Sequence, residues 1–135
     1  MAQKAVKSKK AKSTKKTKKV VKNAIVYIKS TFNNTHVTVT DTQGNVLTSV
    51  STGNMGFKGT RQSTPYAAEV AAKGAMEKAS IYKIENIKVR VKGVGAGREQ
   101  ALRGLTANND IEINSITDIT PIPHGGCRPK RQRKP

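Results

Sequence analysis

Lys92-Gly93-Val94-Gly95-Ala96-Gly97-Arg98 sets three alternating glycines between two cations. Glycine reaches positive φ and lets backbone approach a bulky group closely. A helix opening at Gly97 or Arg98 adds unpartnered amides at the positive end of its dipole. The chemistry such a set can do is anion binding, and phosphate is the natural occupant. The spacing is not that of a dinucleotide site, because Arg98 stands where the third glycine is required. Asp118 falls near the distance of the ribose-binding acid, but after a different strand. Two readings remain: a connection that turns the chain, and a contact for a nucleic-acid backbone.

Other chemistries lack their residues. Gly53-Asn54-Met55-Gly56-Phe57-Lys58-Gly59-Thr60-Arg61 is a second glycine-rich basic stretch, yet it does not follow the order of a nucleotide-hydrolysing loop. A metal-dependent nuclease needs several converging carboxylates, and Ala24–Ser30, the first strand-like run, has none. A structural zinc site takes four ligands, whereas the histidines and cysteine are His36, His124 and Cys127. We therefore expect neither metal, cofactor nor enzymatic activity.

The charge distribution favours nucleic acid. The chain of 135 residues carries a formal net charge of +18. Residues 1–23 contain ten lysines and no acid, and Arg128–Pro135 contain five basic residues and no acid. Such arms lack apolar groups to bury and are expected to be disordered in isolation. Against a polyphosphate they become anchors that release counterions. Neither arm has the apolar face that membrane binding uses, and no apolar run suggests a secretion signal or a span. The lone Cys127 excludes an internal disulfide and fits a reducing, cytoplasmic setting. Aromatic residues make up 4 % of the chain, too few for a base-stacking platform. No recognition-helix motif for the DNA major groove is present. A reader of folded RNA by shape and phosphate fits better than a free histone-like or regulatory protein, the main rival.

Alternation and turn residues supply the frame. Ala24–Ser30 reads as a central strand, Thr35–Asp41 as a β-branched strand with Val37 and Val39 inward, and Val46–Ser51 as a third, closed on the second by Gln43-Gly44-Asn45. Thr64 caps a helix with Pro65 at its first position, and Ala68, Ala71, Ala72, Ala75, Met76 and Ala79 give it a small-residue stripe. Ile87, Val89 and Val91 alternate with Lys88, Arg90 and Lys92 in a fourth strand. A second helix runs to about Ala107, and Ile111, Ile113 and Ile116 suggest a fifth strand. Strand, helix, strand, helix, strand make two crossover units. The expected fold is α/β, with a mixed five-stranded sheet, one strand antiparallel and two crossover helices. Both glycine-rich loops then leave the same sheet edge, where open α/β folds bind ligands, so Lys58, Arg61, Lys92 and Arg98 should share one rim. From Thr120 the prolines favour extended backbone. The divisions are a lysine-rich arm at 1–23, an α/β domain at 24–119 and an extended basic tail at 120–135.

Several blocks resemble the family of small-subunit ribosomal protein eleven, in its bacterial-type form. They are Ile28-Lys29-Ser30-Thr31-Phe32-Asn33-Asn34-Thr35, Gly56-Phe57-Lys58-Gly59-Thr60-Arg61, Ser63-Thr64-Pro65-Tyr66-Ala67-Ala68, Val91-Lys92-Gly93 with Gly95 and Gly97-Arg98-Glu99, and Asp118–His124 continuing through Gly126-Cys127-Arg128-Pro129. The resemblance implies a ribonuclease-H-like fold on the platform of the small subunit. It implies bridging of small-subunit (16S-type) rRNA helices near the mRNA and the anti-Shine–Dalgarno end. Small-subunit proteins seven and eighteen are the implied neighbours, with initiation factor three nearby and no homo-oligomer.

The expected rRNA contacts are Lys29, Lys58, Arg61, Lys92, Gly93, Gly95, Gly97 and Arg98, with Arg128, Lys130, Arg131, Arg133 and Lys134 of the tail. Asn33 and Asn34 can bond sugars or bases, or simply form a turn. The chain departs from the family pattern at Val94 and Ala96, where Pro and Ser are usual, at Gly125 in place of Asn, and at Lys130 in place of a second proline.

Overall fold

A computed structural model describes residues 19–107 and 110–135. The expected disorder of the lysine-rich arm falls mostly on residues 1–18, outside the described residues. Strands β1 (Asn23–Ser30), β2 (Thr35–Asp41) and β3 (Val46–Ser51) form the meander. Helix α1 (Pro65–Ala79), strand β4 (Asn86–Lys92), helix α2 (Arg98–Thr106) and strand β5 (Glu112–Asp118) follow. The sheet order is β3-β2-β1-β4-β5. Only β2 runs against the others, so the expected mixed sheet with a single antiparallel strand is what forms.

The strand order decides where the helices go. β3, β4 and β5 are parallel, and both crossovers step in the same direction across the sheet. Two right-handed connections of that kind must lie on one face. The helices do pack together there, α1 over β2 and β3 and α2 over β1. Among the described residues, no helix covers the opposite face.

The core lies between sheet and helices. Val26 pairs with Val39 on one side and Val89 on the other, and Ile28 with Val37 and Val91. The alanine stripe of α1 is fully buried against them. Small side chains let the two helices close up: a Cβ on Gly104 would come within 2.8 Å of the Glu69 carbonyl oxygen and 2.9 Å of the Ala72 Cβ. At the start of α1 the Thr64 hydroxyl accepts from the Ala67 amide, 3.4 Å away, as a cap should.

Two stretches differ from expectation. The segment after β3, expected as a loop, winds into two short 3₁₀ turns, Gly53–Met55 and Gly59–Ser63. The end of the arm already belongs to the domain, since Val21 donates to the Tyr82 carbonyl and the Lys22 carbonyl accepts from Glu85 and Asn86. No described helix is long and apolar enough to cross a membrane.

Candidate nucleic-acid interface

One edge of the sheet gathers nearly every expected contact. β1, β3, β4 and β5 end there, so the β1–β2 turn, the 53–63 segment, the 93–97 loop and the C-terminal tail all leave the same side. Lys58 and Arg61 lie exposed on the 53–63 segment, and Lys92 lies exposed at the end of β4. Lys29 is exposed beside it, paired with Lys92 across β1 and β4. The tail from Pro121 onward is exposed throughout and carries Arg128, Lys130, Arg131, Arg133 and Lys134 outward from the domain.

The rim is built by short polar contacts. Thr31 and the Asn34 carbonyl close the β1–β2 turn at 2.8 Å. The Asn34 side-chain oxygen accepts from the Thr35 amide at 2.8 Å and from the Thr52 hydroxyl. Asn34 therefore locks the turn to the end of β3, which is the turn role, while Asn33 remains exposed.

The central glycines have a different employer from the one their spacing suggests. What approaches them closely is the chain itself. A Cβ on Gly93, at φ +98°, would meet the Ser30 carbonyl oxygen at 2.0 Å. One on Gly95 would meet the Thr31 carbonyl oxygen at 2.3 Å, and one on Gly97 would meet the Ala68 Cβ and the Thr35 hydroxyl at 2.6 Å. The three glycines thus fit the loop over the end of β1 and under the start of α1. Their removal of side-chain bulk is needed for packing before any ligand is considered.

Arg98 is similarly occupied. Its Nη1 donates to the Gly93 carbonyl at 2.9 Å and its Nη2 to the Asp118 carboxylate at 2.6 Å. Asp118 also accepts from the Thr120 hydroxyl at 2.6 Å and the Thr120 amide at 2.9 Å. Thr120 completes the ring by accepting from the Gly93 amide at 3.1 Å. Arg98 thus ties the loop, the end of β5 and the root of the tail together.

The Thr120 hydroxyl and then Arg98 hold the Asp118 carboxyl well below the usual carboxylate range. A depressed carboxyl stabilises the fold above its unfolded pKa, and the contribution is lost as pH falls through the acid range. Asp118→Asn should therefore lower the thermal midpoint at pH 7 and shrink the further loss seen in wild type between about pH 4 and 2. Melting curves across that range check both. An unchanged acid limb would mean another carboxylate controls it.

A feature absent from the sequence reading lies beside Lys58 and Arg61. Phe57 and Tyr66 meet edge to face, ring centroids 6.0 Å apart, and Tyr66 is 67 % exposed. They lie nine residues apart in the chain, so no periodicity signals the pair. At the tail, Gly125 has φ +79° with open space where a Cβ would go. Gly and Asn are the residues that best tolerate that backbone, so the Gly125 conformation also suits the Asn that the family resemblance leads one to expect there.

Comparison with known proteins decides the family. The family model described as "Ribosomal protein S11" matches residues 24–134. The chain belongs to the ribosomal protein S11 family. It is 53 % identical over 114 residues to small ribosomal subunit protein uS11 of Aquifex aeolicus (strain VF5), covering 84 % of this chain and 90 % of that protein. With small ribosomal subunit protein uS11 of Francisella tularensis subsp. novicida (strain U112) it shares 51 % over 115 residues, 85 % of this chain and 88 % of the relative. The family match begins at Ala24, one residue into β1, and runs through the basic tail to Lys134. The tail is therefore as much an S11 feature as the sheet is.

Proposed function

We propose that this S11-family chain is a structural, non-enzymatic constituent of the small ribosomal subunit, working in the cytoplasm, and that it binds and bridges small-subunit rRNA. The family membership and the uS11 relatives support the first part. The convergence of the β1–β2 turn, the 53–63 segment, the 93–97 loop and the cationic tail on one sheet edge supports the second. In this reading the arm at 1–23, whose last residues are bonded to the domain, and the tail at 120–135 are extensions of an rRNA-binding domain. The tail and the exposed Lys29, Lys58, Arg61 and Lys92 neutralise phosphates, which supplies affinity without reading sequence. Gly93, Gly95, Gly97 and Arg98 hold the rim in shape. The same reading puts the chain on the platform near the mRNA cleft, with small-subunit proteins seven and eighteen and initiation factor three as neighbours, and keeps the ribonuclease-H-like description of its sheet.

The test is sedimentation of native lysate through high salt with tagged full-length chain. Wild type should stay with small subunits after the wash. Lys58→Glu with Arg61→Glu should be depleted from subunits by roughly tenfold or more, two reversed charges costing at least two phosphate contacts, while the purified variant keeps its circular dichroism. Migration of wild type with DNA, or its release to the top of the gradient, would overturn the assignment in favour of a free nucleic-acid-binding protein.

A further inference from the structure

The helix-free face of the sheet shares Lys29 and Lys92 with the rim and extends from them toward the start of β4. Its central rows are polar and cationic from one strand to the next. One row runs Ser51, His36, Lys29, Lys92 across β3, β2, β1 and β4. The next runs Ser49, Thr38, Tyr27, Arg90, Thr117, and Lys88 continues the cations along β4 beside Ser115. The two full rows contain only Lys, Arg, His, Tyr, Ser and Thr, and Ile25 stands beside Lys88 in the row below.

Four cations, Lys29, Lys88, Arg90 and Lys92, stand on this face, while Glu112, opposite Asn86 at the start of β4, is the acid paired into it. Like charges on neighbouring positions of a sheet repel, and Lys29 and Lys92 are cross-strand neighbours. Arg90 is also held in place. Its guanidinium lies 5.7 Å from the Tyr27 ring centroid, and Nη1 donates to the Tyr27 hydroxyl at 3.2 Å. A shallow groove crosses this point, lined by Tyr27, Lys29, His36, Arg90, Lys92 and Ile119. It opens at the end of β4, where the rim begins.

We propose that the helix-free face is a second RNA seat, taking the phosphate backbone of an extended rRNA segment along β4 with Lys88, Arg90 and Lys92. Alternate residues of a strand repeat every 6.6–6.8 Å or so, close to the step between phosphates along one RNA strand. The Tyr27–Arg90 pair gives a flat surface in mid-groove against which a base can stack. RNA is the occupant because its regularly spaced phosphates complement a line of cations on one strand and because the proposed function already supplies it; an acidic protein is the other outcome of the test. With the rim on one edge and this face around the corner, a single domain can hold two RNA segments at an angle. The inference rests on the rRNA-binding function proposed above and adds a surface to it.

The experiment measures binding of the full-length chain to deproteinised small-subunit rRNA across a potassium chloride series. Lys88→Gln with Arg90→Gln, both exposed positions, is compared with Lys58→Gln and Arg61→Gln on the rim. The face variant should reduce the slope of log affinity against log salt by about 1.4–1.8 and weaken binding roughly tenfold or more at 0.1 M. If the rim variant loses slope while the face variant binds as wild type, the second seat is wrong and the proposed function stands. If wild type binds rRNA no better than random RNA of equal length, both fall. Photo-crosslinking in intact small subunits gives an independent reading: nucleotide adducts on the 86–92 peptide support the seat, and a protein crosslinked to Lys88 in their place overturns it.

Discussion

Gly93→Ala should remove a large share of the domain's margin of stability. Two penalties coincide at this position. The backbone at φ +98° disfavours any L side chain, and the added Cβ would sit 2.0 Å from the Ser30 carbonyl oxygen. That oxygen belongs to the last residue of β1, which pairs with Thr35 of β2 and accepts from the Gly95 amide, so no flexible group can yield. A strained conformation costs about 1–3 kcal/mol and overpacking a close-fitting site a further 1–3 kcal/mol or so. The sum, roughly 2–6 kcal/mol, compares with a total of about 5–15 kcal/mol for a natural domain. Urea unfolding should show the midpoint falling steeply at constant slope. Gly44→Ala separates the two causes: φ is +92° there as well, but nothing lies within 4 Å of the new Cβ. It should cost only the conformational part, about 1–2 kcal/mol. Equal losses at both positions would show that the close approach to β1 contributes little.

Deleting Arg128–Pro135 should have the largest effect on binding. Five cations leave with these residues, and none of them touches the folded domain's core. Stability should stay within about half a kcal/mol, as for surface changes generally. The slope of log affinity for small-subunit rRNA against log salt should flatten by up to about 3.5–4.5, and affinity near 0.1 M should drop roughly a hundredfold to ten-thousandfold. Filter binding over a salt series measures both quantities. An unchanged slope would mean the tail hangs free of the phosphates.

Much of the frame was legible in the residues. Alternation over Thr35–Asp41 and over Ile87–Lys92 fixes which side chains turn inward, and Thr64-Pro65 marks the first residue of α1. Tertiary partners were not legible, because they depend on strand order. The three glycines from Gly93 to Gly97 announce close approach, but only the pairing of β1 with β4 shows that Ser30 and Thr31 are what approaches. Arg98 and Asp118, twenty residues apart, pair because β5 lies beside β4. Read in sequence, Lys88, Arg90 and Lys92 are the wet side of an ordinary amphipathic strand. They become one connected basic surface once β1 and β2 add Lys29 and His36 in register. The Phe57–Tyr66 contact likewise needs the 3₁₀ turn at Gly59–Ser63 to bring the rings round.

The β1–β4 pairing also sets the order in which the chain can fold. Tyr27 and Arg90, which meet across it, are 63 residues apart in sequence. The β1–β2–β3 meander closes through short turns and can form early, whereas β4 must wait for a long loop to close at an entropic cost. During that wait the β1 edge stands unpaired over Ala24–Ile28, a template on which another copy could add a strand. Copies bearing +18 each repel one another at low ionic strength. Salt that screens the charge removes this protection, so refolding yield should fall as salt rises. The surplus of lysine and arginine that suits the chain to a polyanion is thus also its safeguard against self-association before the sheet is complete.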